Sequence, residues 1–209
     1  MNKTTVVSFR LKRIASVFKE GYSLIIMVVV YIAGIISGAF FTHGSDTLFS
    51  KAENIYNRFI AHRSEKSFLA IFGYSILEWI PYMLGLFVCG TCVVGIVIMP
   101  LLVFHKGLYY GLLAGYIYSC YSYSGIVFVL ILIIPATLIG AFGMFFAARR
   151  SFSFSLILAK SFMPHNREYD LYNVLVHYCK EFLVLLIVGV FAALADGALC
   201  TAFFQKIHL

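Results

Sequence analysis

Between Ile126 and Ala148 the chain reads IVFVLILIIPATLIGAFGMFFAA, twenty-three residues without a charge. A helix rises about 1.5 Å per residue and the hydrocarbon core of a bilayer is about 30 Å thick, so about 20 apolar residues reach across it. A β-strand of this length would be unusual, and a surface helix of a soluble protein needs a polar face that this stretch lacks. The stretch therefore reads as a transmembrane helix. Pro135 near its middle lacks a backbone donor and predicts a kink, and Gly140 and Gly143 leave room for a neighbouring helix to approach.

Working outward, residues 22–42, 82–104 and 182–204 are further windows of spanning length, and 108–123 is a shorter one rich in Tyr and Ser. With 126–148 they make about five spans. The fold class is thus all-α, a polytopic membrane helix bundle forming one integral membrane domain over residues 1–209. Composition agrees: 62% of residues are apolar and 12% charged, whereas a soluble globule carries about 25% charged residues. The formal net charge of +7 would suit nucleic acid if it formed a stripe on a compact fold. Here the charges fall between apolar runs, so membrane lipid is the expected partner and nucleic acid is not.

Lys and Arg accumulate on the cytoplasmic side of membrane proteins. Residues 1–21, the linker at Lys106 and the loop 149–181 hold eleven of them, against five in the loop 43–81 and the C-terminal tail. The expected orientation is N-terminus in and C-terminus out. The first span has too long a charged lead and too long an apolar stretch for a cleaved signal peptide, and reads as a retained anchor.

The segments between spans are short. Residues 1–21 alternate Val6, Phe9, Ile14, Val17 and Phe18 with basic residues, the pattern of an amphipathic helix that lies on anionic lipid or docks a partner. Ser67 to Ile80 is broken by Glu78 and stopped by Pro81, which suggests an interfacial or re-entrant helix anchored by Trp79. In the inner loop, Met163-Pro164-His165-Asn166 marks a turn, and Leu171, Val174, Leu175 and Tyr178 share one helical face.

Small residues let membrane helices pack closely. Gly34 and Gly38 form one pair, Gly107, Gly111 and Gly115 a stripe on the third span, and Gly189, Ala193 and Gly197 a stripe on the fifth, which Thr201 continues. Either the bundle itself or a second copy could fill them. Asp196 is the one ionisable residue expected within a span, seven residues from Gly189 and so facing nearly the same way. Such a carboxylate is costly and has a partner or a function: an interhelical hydrogen bond, a contact with another protein, or an ion or proton relay.

Catalytic signatures are sparse. Cys89-Gly90-Thr91-Cys92 has redox spacing but no strand-then-helix context, and small packing residues account for it equally. The histidines are scattered, whereas a metal such as zinc needs about four ligands in close array, so no metal and no cofactor are expected, nor any enzyme activity. Tyr116, Tyr118, Tyr121 and Tyr123 could present a sugar platform or form an interfacial aromatic belt.

The run from Met99-Pro100 through Phe104-His105-Lys106-Gly107, then Gly111, Gly115 and Gly125, and Ile134-Pro135 in the next span, resembles the stage II sporulation protein M family. The likeness extends to Gly34, Gly38 and Asp196. It departs from the family after the proline, where members often carry amide or acidic side chains and this chain has Ala136 and Thr137. The resemblance implies a non-enzymatic membrane scaffold that anchors peptidoglycan hydrolases during forespore engulfment, with self-association possible for such a scaffold. Members outside sporulation accompany bacteriocin clusters, which implies instead a small transporter component for export or immunity.

Overall fold

A computed structural model describes residues 3–44, 46–63, 67–161 and 171–203. The expected turn at Met163 to Asn166 and the tail beyond Phe203 lie outside the described residues, as do the side chains of residues 3–21, which would carry the basic amphipathic face. Helix α1 runs Lys3–Gly44, α2 Asp46–Ala61, α3 Phe68–Gly90 and α4 Gly95–Phe128; a π-helical turn at Val129–Ile133 leads into α5, Ile134–Ser161, and α6 is Leu171–Phe203. No strand occurs among the described residues.

Four stretches are long and apolar enough to cross a membrane: Tyr22–Thr42, Phe68–Gly90, Gly95–Ala159 and Tyr172–Ala202. The third contains a reversal, since Ser122 adopts φ 47° and ψ −121° inside α4. Beyond it Gly125 folds back on Ile117, so closely that a Cβ on Gly125 would stand 2.6 Å from the Ile117 carbonyl oxygen. The third of the four stretches among the described residues is thus folded back on itself.

One expected span is placed differently. Residues 82–104 do not form one helix, because α3 ends at Gly90 and α4 starts at Gly95. The Thr91, Cys92 and Gly95 amides bond the Val88, Cys89 and Cys92 carbonyls across the turn. A Cβ on Gly95 would fall 1.7 Å from the Cys89 carbonyl oxygen, so only glycine admits so tight a reversal. Nor does Pro81 stop a helix: it sits inside α3, as prolines in membrane helices can where neighbours satisfy the freed carbonyl. Ser67 to Ile80 is thus the N-terminal half of a helix long and apolar enough to span a membrane, and not a separate interfacial one. Pro135 follows directly on the π-helical turn, whose wider winding accommodates a residue that cannot donate to the preceding turn.

The faces are reversed relative to a soluble bundle. Ile25, Val29, Ile32, Ile36 and Phe40 repeat at helical spacing along α1 and are exposed, as a lipid-facing stripe requires. Inside, α1 and α4 meet along glycine: Cβ atoms on Gly107 and Gly111 would lie 2.4 and 2.2 Å from the Tyr31 and Ile35 carbonyl oxygens, and one on Gly34 2.5 Å from that of Phe104. Lipid tails compete with any apolar side chain, so this backbone-to-backbone approach supplies dispersion contacts that lipid cannot.

The core is divided into two layers. One packs Met27, Met83, Leu86, Met99, Val103, Met144 and Phe182. The other packs Tyr56, Phe59, Ile71, Leu113, Ile117, Phe128 and Leu132. In α3 the stretch between Ile71 and Met83 contains Glu78, and in α4 the stretch between Val103 and Leu113 contains Lys106. The charged residues therefore lie in a seam between two apolar layers.

Candidate functional site: a charged cavity within the bundle

Two ion pairs occupy that seam. Lys106 Nζ donates to Glu78 Oε1 at 2.7 Å, and the two side chains are 7% and 20% exposed. Their meeting follows from the α3–α4 hairpin. Each lies fourteen residues from Cys92 in the turn, and residues equidistant from the turn of an antiparallel pair share a depth. The ammonium also stands 4.5 Å from the Tyr82 ring centroid and 4.9 Å from that of Tyr110, which adds cation–π attraction. Lys106, read from the sequence as a linker residue, is thus a buried cation inside the third crossing. Glu78, read as part of an outer loop, is its partner. The expectation that Asp196 is the one ionisable group within a span is corrected: three elements bring charges there.

The second pair joins Arg63 to Asp196. Arg63 Nη2 donates to Asp196 Oδ2 at 2.5 Å, with side chains 5% and 11% exposed. Ser75 Oγ on α3 donates to the same oxygen, and Cys200 Sγ lies 3.7 Å from Oδ1. The amphipathic helix α2 delivers the guanidinium. Its buried positions Ala52, Tyr56 and Phe59 repeat at helical spacing, and Arg63 continues that face one turn on, with its guanidinium 3.7 Å above the Phe59 ring. Arg63 lies outside the spanning helices. Burial opposes its charge, and the Asp196 carboxylate with smaller help from Cys200 and Glu78 outweighs it, so its pKa stands above the ordinary value.

Both pairs border one cavity of about 60 Å³, whose wall also includes Tyr31, Trp79, Ala136, Thr137 and Gly140. Trp79 is not an interfacial anchor. Its indole is wedged between α5 and α6, where a Cβ on Gly189 would come within 2.2 Å of the ring and one on Gly143 within 3.5 Å. Asp196 is anchored where Gly189, Ala193 and Gly197 line α6: Ala193 joins the cavity wall, and Gly197 receives Phe68. The glycine stripes singled out in the sequence are thus filled from within the chain.

The remaining candidates lie elsewhere. Cys89 and Cys92 flank the end of α3 as free thiols. Tyr116 and Tyr121 pack against α2, and the Tyr56 hydroxyl donates to that of Tyr121 at 2.9 Å, while Tyr118 and Tyr123 stay exposed. On the extensions of α5 and α6, Arg150 meets Glu181 at 2.9 Å. No group of three or more His, Cys, Asp and Glu suited to a metal occurs among the described residues.

Lys106→Met is expected to cost about 1–3 kcal/mol by stranding the Glu78 carboxylate. The loss should appear as a lower melting temperature of the detergent-solubilised protein. Adding Glu78→Gln should restore most of it; a double variant no more stable than Lys106→Met would show that the pair does not carry the effect.

Residues 27–204 match the family described as Stage II sporulation protein M. That is most of the chain. The protein belongs to the stage II sporulation protein M family. No curated protein and no solved structure matches it. The matched region begins in the first crossing and ends beyond Asp196, so it takes in both ion pairs and the whole glycine seam.

Proposed function

We propose that this member of the stage II sporulation protein M family is a non-enzymatic scaffold of the bacterial cytoplasmic membrane that recruits peptidoglycan-remodelling enzymes during forespore engulfment. The observation that carries the reading is how the charged side chains at the bundle's centre are used. Glu78, Lys106, Arg63 and Asp196 are committed to one another, which suits groups that lock helices together better than groups that turn over a substrate. The orientation offered is N-terminus in and C-terminus out. Withdrawing Lys106 and Arg63 into the bundle leaves ten basic residues in the inner segments against four in the outer, so the inner excess remains.

In that orientation α2 lies on the outer side with Lys51, Glu53 and Arg58 exposed, a polar face available to an extracytoplasmic enzyme. Affinity capture of the tagged full chain from membranes of a sporulating host is expected to recover a peptidoglycan hydrolase. Lys51→Glu with Arg58→Glu should reduce that recovery severalfold without changing the melting temperature. Unimpaired engulfment and septal wall thinning in a deletion strain would defeat the proposal.

One observation favours a second reading, a small transporter component: the cavity places two acids and two bases inside the bundle. That reading requires solute- or proton-dependent flux in proteoliposomes that Asp196→Asn abolishes.

A further inference from the structure

Among the described residues, the fully buried side-chain atoms that line the cavity without a hydrogen-bond partner are donors. Arg63 Nε, Arg63 Nη1 and Trp79 Nε1 are buried without a hydrogen-bond partner, and Arg63 and Trp79 both line the cavity. Buried N–H groups left unpaired each cost about 1–3 kcal/mol, more where the group is charged, so orphan donors brought together from two segments mark a place where acceptor oxygens are wanted. Asp196 Oδ2 receives Arg63 Nη2 and Ser75 Oγ and Glu78 Oε1 receives Lys106, and neither carboxylate reaches the three remaining donors.

Size and charge narrow the ligand. A water needs about 10–15 Å³ of such space, so about 60 Å³ holds a group of four or five heavy atoms and not a sugar or a nucleotide. Arg63 and Lys106 are balanced by Asp196 and Glu78, which favours a single incoming negative charge over two. Donors supplied by two side chains, an arginine and an indole, are met better by a tetrahedral group with several oxygens than by a flat carboxylate.

We propose that the cavity is a binding site for one singly charged phosphate group, either free phosphate or the phosphodiester of a lipid headgroup, held by Arg63 Nε and Nη1 and Trp79 Nε1 with Lys106 close by. The proposal is independent of enzyme recruitment, since it concerns the interior of the bundle and not the outer face of α2.

The protein carries its own reporter, because Trp79 is the single tryptophan of the chain. The full chain in maltoside micelles, which contain no phosphate, is titrated at pH 6 with inorganic phosphate in one arm and with short-chain phosphatidylglycerol in the other, each against sodium chloride of equal ionic strength. A saturable change in Trp79 emission with phosphate assigns the free ion; one with the lipid alone assigns the headgroup. Arg63→Lys keeps a cation for Asp196 but lacks the Nε and Nη1 donors, and it should weaken the response by more than about tenfold, since the loss of even one hydrogen bond to a charged group is worth about that much. Ala136→Leu, which fills the cavity from α5, should abolish the response and serves as the second test if Arg63→Lys does not give a monodisperse protein. No saturable change with either probe, an equal change with sodium chloride, or a response that survives Ala136→Leu would each overturn the proposal.

Discussion

Asp196→Ala is expected to destabilise the bundle by about 3–5 kcal/mol, the range for removing one partner of a buried ion pair. The carboxylate it deletes is the anchor of Arg63 Nη2 and Ser75 Oγ, which arrive from two different segments. Arg63 would be left as an uncompensated cation only 5% exposed. Because most of the penalty comes from the stranded charge and not from the lost attraction, a second substitution should relieve it. Arg63→Met combined with Asp196→Ala should recover well over half the loss. Asp196→Asn, which keeps an acceptor oxygen but not the charge, should fall between the single and the double variant. Equilibrium unfolding in mixed micelles supplies all four corners of the cycle. Equal stability of the single and double variants would mean that Asp196 acts through packing instead.

Gly111→Leu should be comparably damaging for a purely steric reason. A Cβ alone on Gly111 would lie 2.2 Å from the Ile35 carbonyl oxygen and 2.9 Å from its Cα. These are backbone atoms, which cannot rotate aside, so α1 and α4 must separate along the seam formed with Gly107 and Gly34. Overpacking costs about 1–3 kcal/mol for extra methylenes in a core, and a whole leucine against backbone should exceed that. The measurable outcome is loss of the monodisperse peak in detergent. Gly44→Leu is the control, since nothing lies within 4 Å of a Cβ there, and it should behave as wild type. Similar profiles for the two variants would contradict close α1–α4 packing.

Much of the candidate site is legible in the sequence as spacing, not as hydropathy. A window of hydropathy rejects charged residues and so places Glu78 and Lys106 in loops, since the most apolar window near Cys92 is 82–104. With Gly90 and Gly95 as the facing ends of two antiparallel helices, the equal spacing of Glu78 and Lys106 from Cys92 pairs them. The repeat Ala52, Tyr56, Phe59, Arg63 likewise marks a buried face ending in a cation. The partner of that cation could not be read, because Arg63 and Asp196 are 133 residues apart and nothing local links them.

Hydropathy adds up along the chain, so the sequence alone carries the membrane class and the small residues at which helices can close. The cost of a charge in a bilayer is different, because it depends on what faces the charge across another helix. Folding set which stretch crosses at Phe68–Gly90, where the reversals fall, and that four charges and an indole surround one cavity. Each is a relation between segments, and only their packing brings it into being.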